Sequence, residues 1–343
     1  MSQQDSVKVS VVIKALNEEE HIEKAVRSAL VAVERVGGEV ILADSISTDK
    51  TVEIASRYSV TIVQLQNAAD RRCGVGPQLG YQVAAGEYVY ILDGDMEIDP
   101  DFLPAAIEQM ESDPALGGVG GLVDEQSTAS YQFRGRKRRK NEGMSGDVKW
   151  LDMGGLYRRA ALEEVGYFSD RNLHAYEEQD LGLRLTYAGW RLCRLPVRSV
   201  LHYGYTESSL ALLGRRWRSH YLDGGGEALR AATGKRYFFD VLYNQKHIVV
   251  GLALWLGLVL GVLLLAYTPV ILLVTCGLIG LLVLARAVRI GSLMDSLFAQ
   301  LVWQVTALAM LRGFLKRPID PVTPVAYVVC KDNSAGKQGA TGQ

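Results

Sequence analysis

The 343-residue sequence is poor in cysteine. Cys73, Cys193, Cys276 and Cys330 stand far apart, without a Cys-x-x-Cys pair or a Cys/His ligand spacing. That argues against a zinc site and a disulfide framework, and it fits a reducing compartment. There is no Gly-x-Gly-x-x-Gly turn and no Walker loop, so a dinucleotide or P-loop reading has little support. Charge of one sign is also missing: 37 Lys and Arg face 38 Asp and Glu, a formal net charge of -1. The total therefore implies no polyanionic partner, and no nucleic acid is expected. Residues 1–6 are short and polar and lead straight into a strand-like run, which predicts no secretory signal peptide and a cytoplasmic first half. The length points to one or two domains with a small appendage.

Against these absences stands the stretch from Gly86 to Pro100. Tyr88, Val89, Tyr90, Ile91 and Leu92 form an unbroken apolar run that stops at Asp93-Gly94-Asp95. Such a run reads as a strand buried on both faces of a parallel sheet. Ligands of open α/β sheets collect beyond the carboxyl ends of strands. Two carboxylates one residue apart at that place can hold Mg²⁺ or Mn²⁺ with positions left for substrate phosphates. The competing interpretation is an Asx turn eased by Gly94. Upstream, strands are expected at 7–13, 39–43 and 60–64, with helices opening after Asn17, after Asp49 and near Gln78. Three strand–helix alternations argue for a mainly parallel, Rossmann-like α/β sheet with its strand ends on one rim. Asn17, Glu18, Asp44 and Asp49 fall on that rim, where they can accept from base and ribose donors while helix starts face phosphate. Helix capping is the alternative role for Asp44 and Asp49.

Taken together, these stretches resemble glycosyltransferase family 2, whose fold is GT-A. The resemblance runs from Val9 to Glu19, through Asp44 to Thr51, and from Ala85 into Asp93-Gly94-Asp95. Further on, Asp152 to Phe168 is similar to the family's acceptor-side glycine turn and helix, Tyr176 to Leu185 to its Glu-Asp-x-Asp-Leu segment, and Val200-Leu201-His202 to its strand-end histidine. It covers roughly residues 7–205 and is closest in kind to membrane-anchored bacterial enzymes of polyprenyl-linked or exopolysaccharide assembly. The resemblance implies a metal-dependent inverting hexosyltransferase. Asp93, Asp95 and His202 would be its metal set, for Mn²⁺ or Mg²⁺. Ala15, Asn17, Glu18, Asp44, Asp49, Gln78, Asp93 and Gly94 would be its nucleotide contacts. Glu178 would be its general base, with Glu177 the competing carboxylate and Asp180 an orienting neighbour. Gly154 and Gly155 would lie on the acceptor side. Two departures bear on these roles: Glu178 stands where the family usually has Asp, and Gln78 where it often has Asn.

The second half of the chain changes character. Arg134 to Lys140 is a dense basic run, in which Arg138 and Arg139 are candidates for acceptor or lipid phosphate. Leu210, Leu213, Trp217 and Tyr221 recur at helical spacing around Arg215, Arg216 and Arg218, the pattern of an amphipathic interface helix. Arg215, Arg216 and Trp217 are therefore further lipid-side candidates, and Gly224-Gly225-Gly226 is expected to end that helix. A second surface segment is expected near 237–243. Residues 248–268 and 270–285 read as a transmembrane hairpin, followed by Arg286 and Arg289 on the cytoplasmic side. A third apolar stretch at 292–311, broken by Asp295, Gln300 and Gln304, is either a span or an in-plane helix, and Arg312, Lys316 and Arg317 favour the latter. The tail after Lys331 is expected to be disordered. The expected organisation is thus a catalytic domain at 1–206, interface helices at 207–246 and a membrane region at 247–343.

The expected function is sugar transfer from a nucleotide diphosphate donor to a lipid-linked acceptor at the cytoplasmic membrane, with homo-oligomerisation left open. A processive polysaccharide synthase is one alternative, although Leu213-Gly214-Arg215-Arg216-Trp217 lacks the glutamine of the synthases' Gln-x-x-Arg-Trp motif. A non-catalytic nucleotide-sugar-binding membrane protein is the other.

Overall fold

The computed structural model describes residues 7–126, 145–152, 154–204 and 207–333. The chain forms two compact units, residues 1–208 with 318–343 and residues 209–317. Arg138 and Arg139 lie outside the described residues.

Among the described residues, the first unit is built on a ten-stranded mixed sheet. Its centre is β1 (Val9–Ala15), parallel to β2 (Gly38–Asp44) on one side and β4 (Tyr88–Asp93) on the other. Side chains alternate across β1, so Val11 and Ile13 enter one hydrophobic cluster and Val12 the other. A strand buried on both faces in this way needs the near-continuous apolar run that the sequence shows. Helix α1 (Ile22–Val36) covers one face through Ile22, Ala25, Val26, Ala29 and Val33, spaced by threes and fours, and ends at Gly37 with φ of 77°. Two short helices follow, α2 (Thr51–Ala55) after β2 and α3 (Val75–Val83) after β3 (Thr61–Leu65). Register places Ala15 opposite Asp44 and Lys14 opposite Asp93, which gathers three strand ends on one rim.

Beyond β4 the sheet turns mixed. β5 (Met96–Ile98), α4 (Phe102–Ser112), β6 (Leu116–Glu125), β7 (Gly146–Val148), β8 (Leu156–Arg158), α5 (Arg159–Glu164), α6 (Glu177–Ala188) and β9 (Arg191–His202) follow in order. β8 lies antiparallel between β4 and β6, and β9 runs parallel to β6. β5 pairs with the end of β9, setting Met96 opposite His202 and so bringing Asp95 to the histidine.

The C-terminal part departs from the expected organisation. Residues 318–333 belong to the sheet unit rather than to the membrane region, and β10 (Tyr327–Lys331) pairs antiparallel with β3. Without it β3 would present an open edge of unpaired backbone groups. Gln82 holds the strand's approach by bonding both the N–H (2.7 Å) and the carbonyl (2.9 Å) of Val325.

The second unit is helical: α7 (Ser209–Arg218), a 3-10 turn at Tyr221–Asp223, α8 (Gly224–Ala231), α9 (Phe238–Asn244), α10 (Lys246–Leu263), α11 (Val270–Ile290) and α12 (Leu293–Leu315). The last three are long and apolar enough to cross a membrane, with mean hydropathies of 2.0, 2.5 and 1.3. Gly224, Gly225 and Gly226 open α8 instead of ending α7. The reason is a close approach: a Cβ on Gly226 would lie 1.9 Å from the carbonyl oxygen of Met310 on α12. α10 and α11 approach each other through Gly257 against Thr275 and Gly261 against Leu272, the small-residue packing that lets helices associate in lipid.

Candidate active site

The rim of β1, β2 and β4 carries two interlocked loops. Asn17, at φ of 58°, accepts from the Thr48 N–H through Oδ1 (2.7 Å), and its own N–H donates to Ser47 Oγ (2.9 Å). The Glu18 N–H donates to Thr51 Oγ1, and the Glu19 N–H to Asp49 Oδ2. Asp49 also accepts from the Thr51 N–H and hydroxyl. Against a burial cost, these bonds hold its carboxyl below the usual range. Asp49 thus closes an Asx turn ahead of α2 and ties it to the Glu19 backbone. Asp44 is fully buried and accepts from Ser47 and from Gln64 Nε2. Between them Ile46 sits at φ of 61°, an uncommon backbone state for a β-branched residue. Arg71 fixes that turn by donating to the carbonyls of Ser45 and Ile46. Gly94 lets the β4 end close on this rim, since a Cβ there would meet Glu18 Cγ at 2.9 Å and Ala15 Cβ at 3.3 Å. Gln78 is committed elsewhere: its carbonyl oxygen accepts from the N–H groups of Phe168 and Ser169 (3.0 and 3.1 Å) and braces the loop ahead of α6.

Lys14 joins the two halves of the site, and sequence reasoning missed it. Its ammonium lies 3.0 Å from Asp93 Oδ1, 3.1 Å from Glu177 Oε1 and 3.8 Å from Glu178 Oε1. Burial works against its charge, but the three carboxylates hold its pKa well above the ordinary value. The signal was present: Lys14 is the single charge in an otherwise buried strand. Gly76 leaves room for its stem, because a Cβ there would lie 2.9 Å from Lys14 Cβ.

The three carboxylates of α6 point to different tasks. Glu177 is 8% exposed and tied to Lys14, whereas the Glu178 side chain is 32% exposed. Burial, then the neighbouring Glu177, pushes the Glu178 carboxyl up to about 8. Asp180 is buried against Arg184 at 2.8 Å, and Arg184 also bonds the carbonyls of Tyr167 and Phe168. Glu177, Glu178, Asp93, Asp152 and Tyr157 line one cleft beside Lys14. Gly154 and Gly155 line it too; Gly154 has φ of 76°, and a Cβ there would lie 2.8 Å from the Tyr90 hydroxyl.

His202 stands between two acids, with Nε2 3.2 Å from Asp95 and Nδ1 2.8 Å from Glu125. Burial opposes its charge, but those carboxylates hold the imidazole up to about 9. Asp95 is buried, and its bond to His202 keeps it below the usual carboxylate range in spite of that burial. Burial raises Asp93 above the range; Lys14 opposes the shift and Asp95 adds to it. Two carboxylates and an imidazole are the donor chemistry that suits Mn²⁺ or Mg²⁺. Their present partners include one another, Lys14 and Glu125, and among the described residues no three acids, histidines or cysteines surround a single point as ligands.

Residues 10–166 match the family model described as glycosyl transferase family 2. That match spans just under half of the chain. Among curated proteins, it is 27% identical over 221 residues to an N-acetylglucosaminyl-diphospho-decaprenol L-rhamnosyltransferase of Mycobacterium tuberculosis, covering 53% of this chain and 72% of that one. Among solved structures, it resembles the mannosyltransferase PcManGT of Pyrobaculum calidifontis in complex with GDP-Man and Mn²⁺, with a TM-score of 0.55, 19% identity and coverage of 89% and 85% of the two chains. It also resembles S. aureus TarS 1–349 in complex with UDP-GlcNAc, with a TM-score of 0.51, 17% identity and coverage of 69% and 73%. These likenesses establish the GT-A fold. Within the matched residues, Ala15, Asn17, Glu18, Asp44, Asp49, Asp93 and Gly94 lie on the β1–β2–β4 rim, whereas Gln78 is spent on the loop ahead of α6. Arg215, Arg216 and Trp217 lie on α7 in the other unit, where the Arg312 guanidinium stacks 4.5 Å from the centre of the Trp217 ring.

Proposed function

We propose that this protein transfers a hexosyl group from a nucleotide diphosphate-sugar to a lipid-linked acceptor, a polyprenyl phosphate or diphosphate-oligosaccharide, at the cytoplasmic face of the inner membrane. The observation that carries this reading is the shared cleft: Asp93 at the end of β4 and Glu178 in the first turn of α6 open on one space, and Lys14 bridges them. The nucleotide would lie along the ends of β1 and β2, against Ala15, Asn17, Glu18 and the Asp44–Asp49 turn. Asp93, Asp95 and His202 would hold Mn²⁺ or Mg²⁺, which when bound offsets the charge of the departing diphosphate.

Glu178 is the general base in this reading, since Glu177 is spent on Lys14 and Asp180 on Arg184. A pKa near the working pH suits a base. Glu178 takes the proton of the acceptor hydroxyl while that oxygen attacks the anomeric carbon. The bond from that carbon to the diphosphate breaks with its electron pair on the leaving group, and the configuration inverts. A lipid-linked acceptor is favoured because a soluble one gives no reason to carry three membrane-length helices in the same chain. The decaprenol in the name of the mycobacterial relative supports the same class.

The test is nucleoside-diphosphate release by reconstituted full-length protein across UDP-, GDP- and dTDP-sugars, with polyprenyl phosphate or a lipid extract as acceptor, with and without Mn²⁺. Release should require metal and acceptor, and Glu178→Gln should lower it by about 10² to 10⁴-fold. Full activity in Glu178→Gln would overturn the base assignment. Nucleotide binding without turnover on any donor would overturn the transferase reading.

A further inference from the structure

Three helices in the second unit have the length and composition to cross a membrane, yet three crossings conflict with two independent features of the fold. The first is where the chain goes. It leaves the sheet unit at residue 208 and is back in it by 318, and the returning segment pairs as β10 with β3. Both flanks of the helical unit therefore belong to one folded body on one side of the membrane, so the number of crossings between them is even.

The second feature lies wholly within the helical unit. The C-terminal end of α12 is bound to the 3-10 turn and α8, which come before the first membrane-length helix. Arg312 and Lys316 pair with the fully buried Asp223 at 2.6 and 2.8 Å. Arg230 donates to the carbonyls of Gly313 and Lys316. Gly226 and Gly313 bring the backbones together; a Cβ on Gly313 would lie 2.1 Å from the Asp223 carbonyl oxygen. The other end of α12 follows α11 after only Gly291 and Ser292. Midway, the Trp303 ring lies 3.8 Å from the Arg286 guanidinium on α11 and 5.5 Å from His247 in the first turn of α10. α12 is thus tied at its C-terminal end to the 3-10 turn and α8, at its start to the end of α11, and at its middle to Arg286 near the end of α11 and to the first half of α10, where Trp255 Nε1 also donates to the Gln304 carbonyl. A helix of 23 residues is roughly 34 Å long, so a crossing α12 would put Arg312 a full hydrocarbon thickness away from Asp223.

Of the three helices, α12 is also the one with the weakest claim to span. Its hydropathy is lowest, at 1.3, and it contains Asp295, Gln300, Gln304 and Arg312. The link between α10 and α11 carries no charge, whereas Arg286, Arg289 and Asp295 surround the link between α11 and α12, which places the second link inside.

We infer that α10 and α11 cross as a hairpin and that α12 lies in the plane of the membrane on the cytoplasmic face, its exposed leucines set into the boundary between headgroups and acyl chains. Leu293, Leu297, Leu301, Leu308, Leu311 and Leu315 are each at least 40% exposed and recur at intervals that keep them on one side of a helix. The polar and small residues Ser296, Ala299, Gln300, Ala307 and Gly313 are buried inside the unit. The bilayer is the occupant that matches a leucine stripe of this length, flanked by Arg215, Arg216 and Arg218 on α7 of the same unit. This inference rests on the proposal that the helical unit is embedded in a membrane, but its test does not depend on sugar transfer.

The experiment uses the full chain in membrane vesicles of both orientations, labelled with a membrane-impermeant maleimide at Tyr267→Cys, Met294→Cys or Arg317→Cys in a background with Cys276→Ser and Cys330→Ser. Modified peptides are located by mass spectrometry. Tyr267→Cys should react only in right-side-out vesicles; Met294→Cys and Arg317→Cys should react only in inside-out vesicles. Labelling of Met294→Cys and Arg317→Cys from opposite sides would establish a third span and overturn the inference. Labelling of all three from one side would remove the hairpin and overturn it equally. Spin labels at 293, 301, 308 and 315 give a second reading. In-plane placement predicts one shallow depth of about 5–10 Å for all four, whereas a span predicts deep middle positions and shallow ends. Loss of turnover with this labelling pattern intact would count against the transferase reading alone.

Discussion

Lys14→Met removes the cation that joins the two carboxylate groups of the cleft. The Lys14 side chain is 16% exposed, with Asp93 at 3.0 Å and Glu177 at 3.1 Å. At an effective dielectric constant of 20, each contact at that distance carries about 5 kcal/mol of gross Coulomb attraction. Desolvation of the lysine offsets much of this, and breaking a buried ion pair by removing one partner costs about 3–5 kcal/mol net. For a unit of this size that corresponds to a fall in melting temperature of roughly 6–20 °C. The deficit should depend on pH with a definite sign. Burial already holds the Asp93 carboxyl above its ordinary value and Lys14 opposes that shift, so in the variant it rises further and the native state holds a proton that the unfolded chain releases. The variant is then closest to wild type at acid pH and falls behind as pH rises through the raised value. The assay is thermal unfolding of the full-length protein in detergent at pH 5 and pH 8, beside Lys14→Arg, which keeps the charge and should recover part of the loss. A deficit below about 1 kcal/mol, of the size found for a surface ion pair, or one equal at both pH values, would refute the reasoning.

The Glu178 carboxyl stands at about 8, and a base must be ionised, so kcat/KM should rise with pH toward that value. Glu178→Gln should flatten the limb, and an unchanged profile in that variant would assign the limb to another group. The same raised pKa means that the folded state loses stability at this site as pH climbs from the ordinary carboxylate range to about 8, a loss that Glu178→Gln should abolish in unfolding measurements. Gly226→Ala should destabilise the helical unit by several kcal/mol, because the added methyl meets the Met310 backbone at 1.9 Å rather than a movable side chain; detergent-phase melting that matches wild type would contradict this. Asn172→Ala removes the two bonds to the Ile319 backbone, at 2.7 and 2.8 Å. It should lower kcat on the order of 10–100-fold through displacement of α6 while leaving the donor KM unchanged, and steady-state kinetics with varied donor separate the two.

The parallel half of the fold was legible because its strands are buried on both faces and leave unbroken apolar runs that end in acids. The strand ends Ala15, Asp44 and Asp93 could be placed on one rim from that pattern alone. β10 was not legible: Tyr-Val-Val-Cys-Lys is too short to show a period, follows three apolar helices and is a strand only because β3 needs an edge partner. The triple glycine was misread for a related reason. Gly224 to Gly226 carry the usual helix-ending composition, but the requirement they meet is a backbone crossing with α12, more than eighty residues away in the sequence. The difference between Glu177 and Glu178 was also beyond local pattern, since adjacent residues at a helix start share composition and differ here in burial and in distance to Lys14.

The placement of the cleft carboxylates depends on widely separated parts of the chain. Residues 168–175 lead into α6, and they are held on one side by the Gln78 carbonyl oxygen and on the other by the returning segment, where Arg171 donates to the carbonyls of Thr323 and Pro324 and Asn172 brackets Ile319. Tyr176, at φ of 72°, then turns the chain into the helix. A loop held from two sides can support such a backbone state, whereas a loop held from one would relax it. The same returning segment closes the sheet at β3. The residues that follow the three long apolar helices therefore complete the sheet edge and brace the start of α6, which makes the helical unit an insertion within the sheet unit.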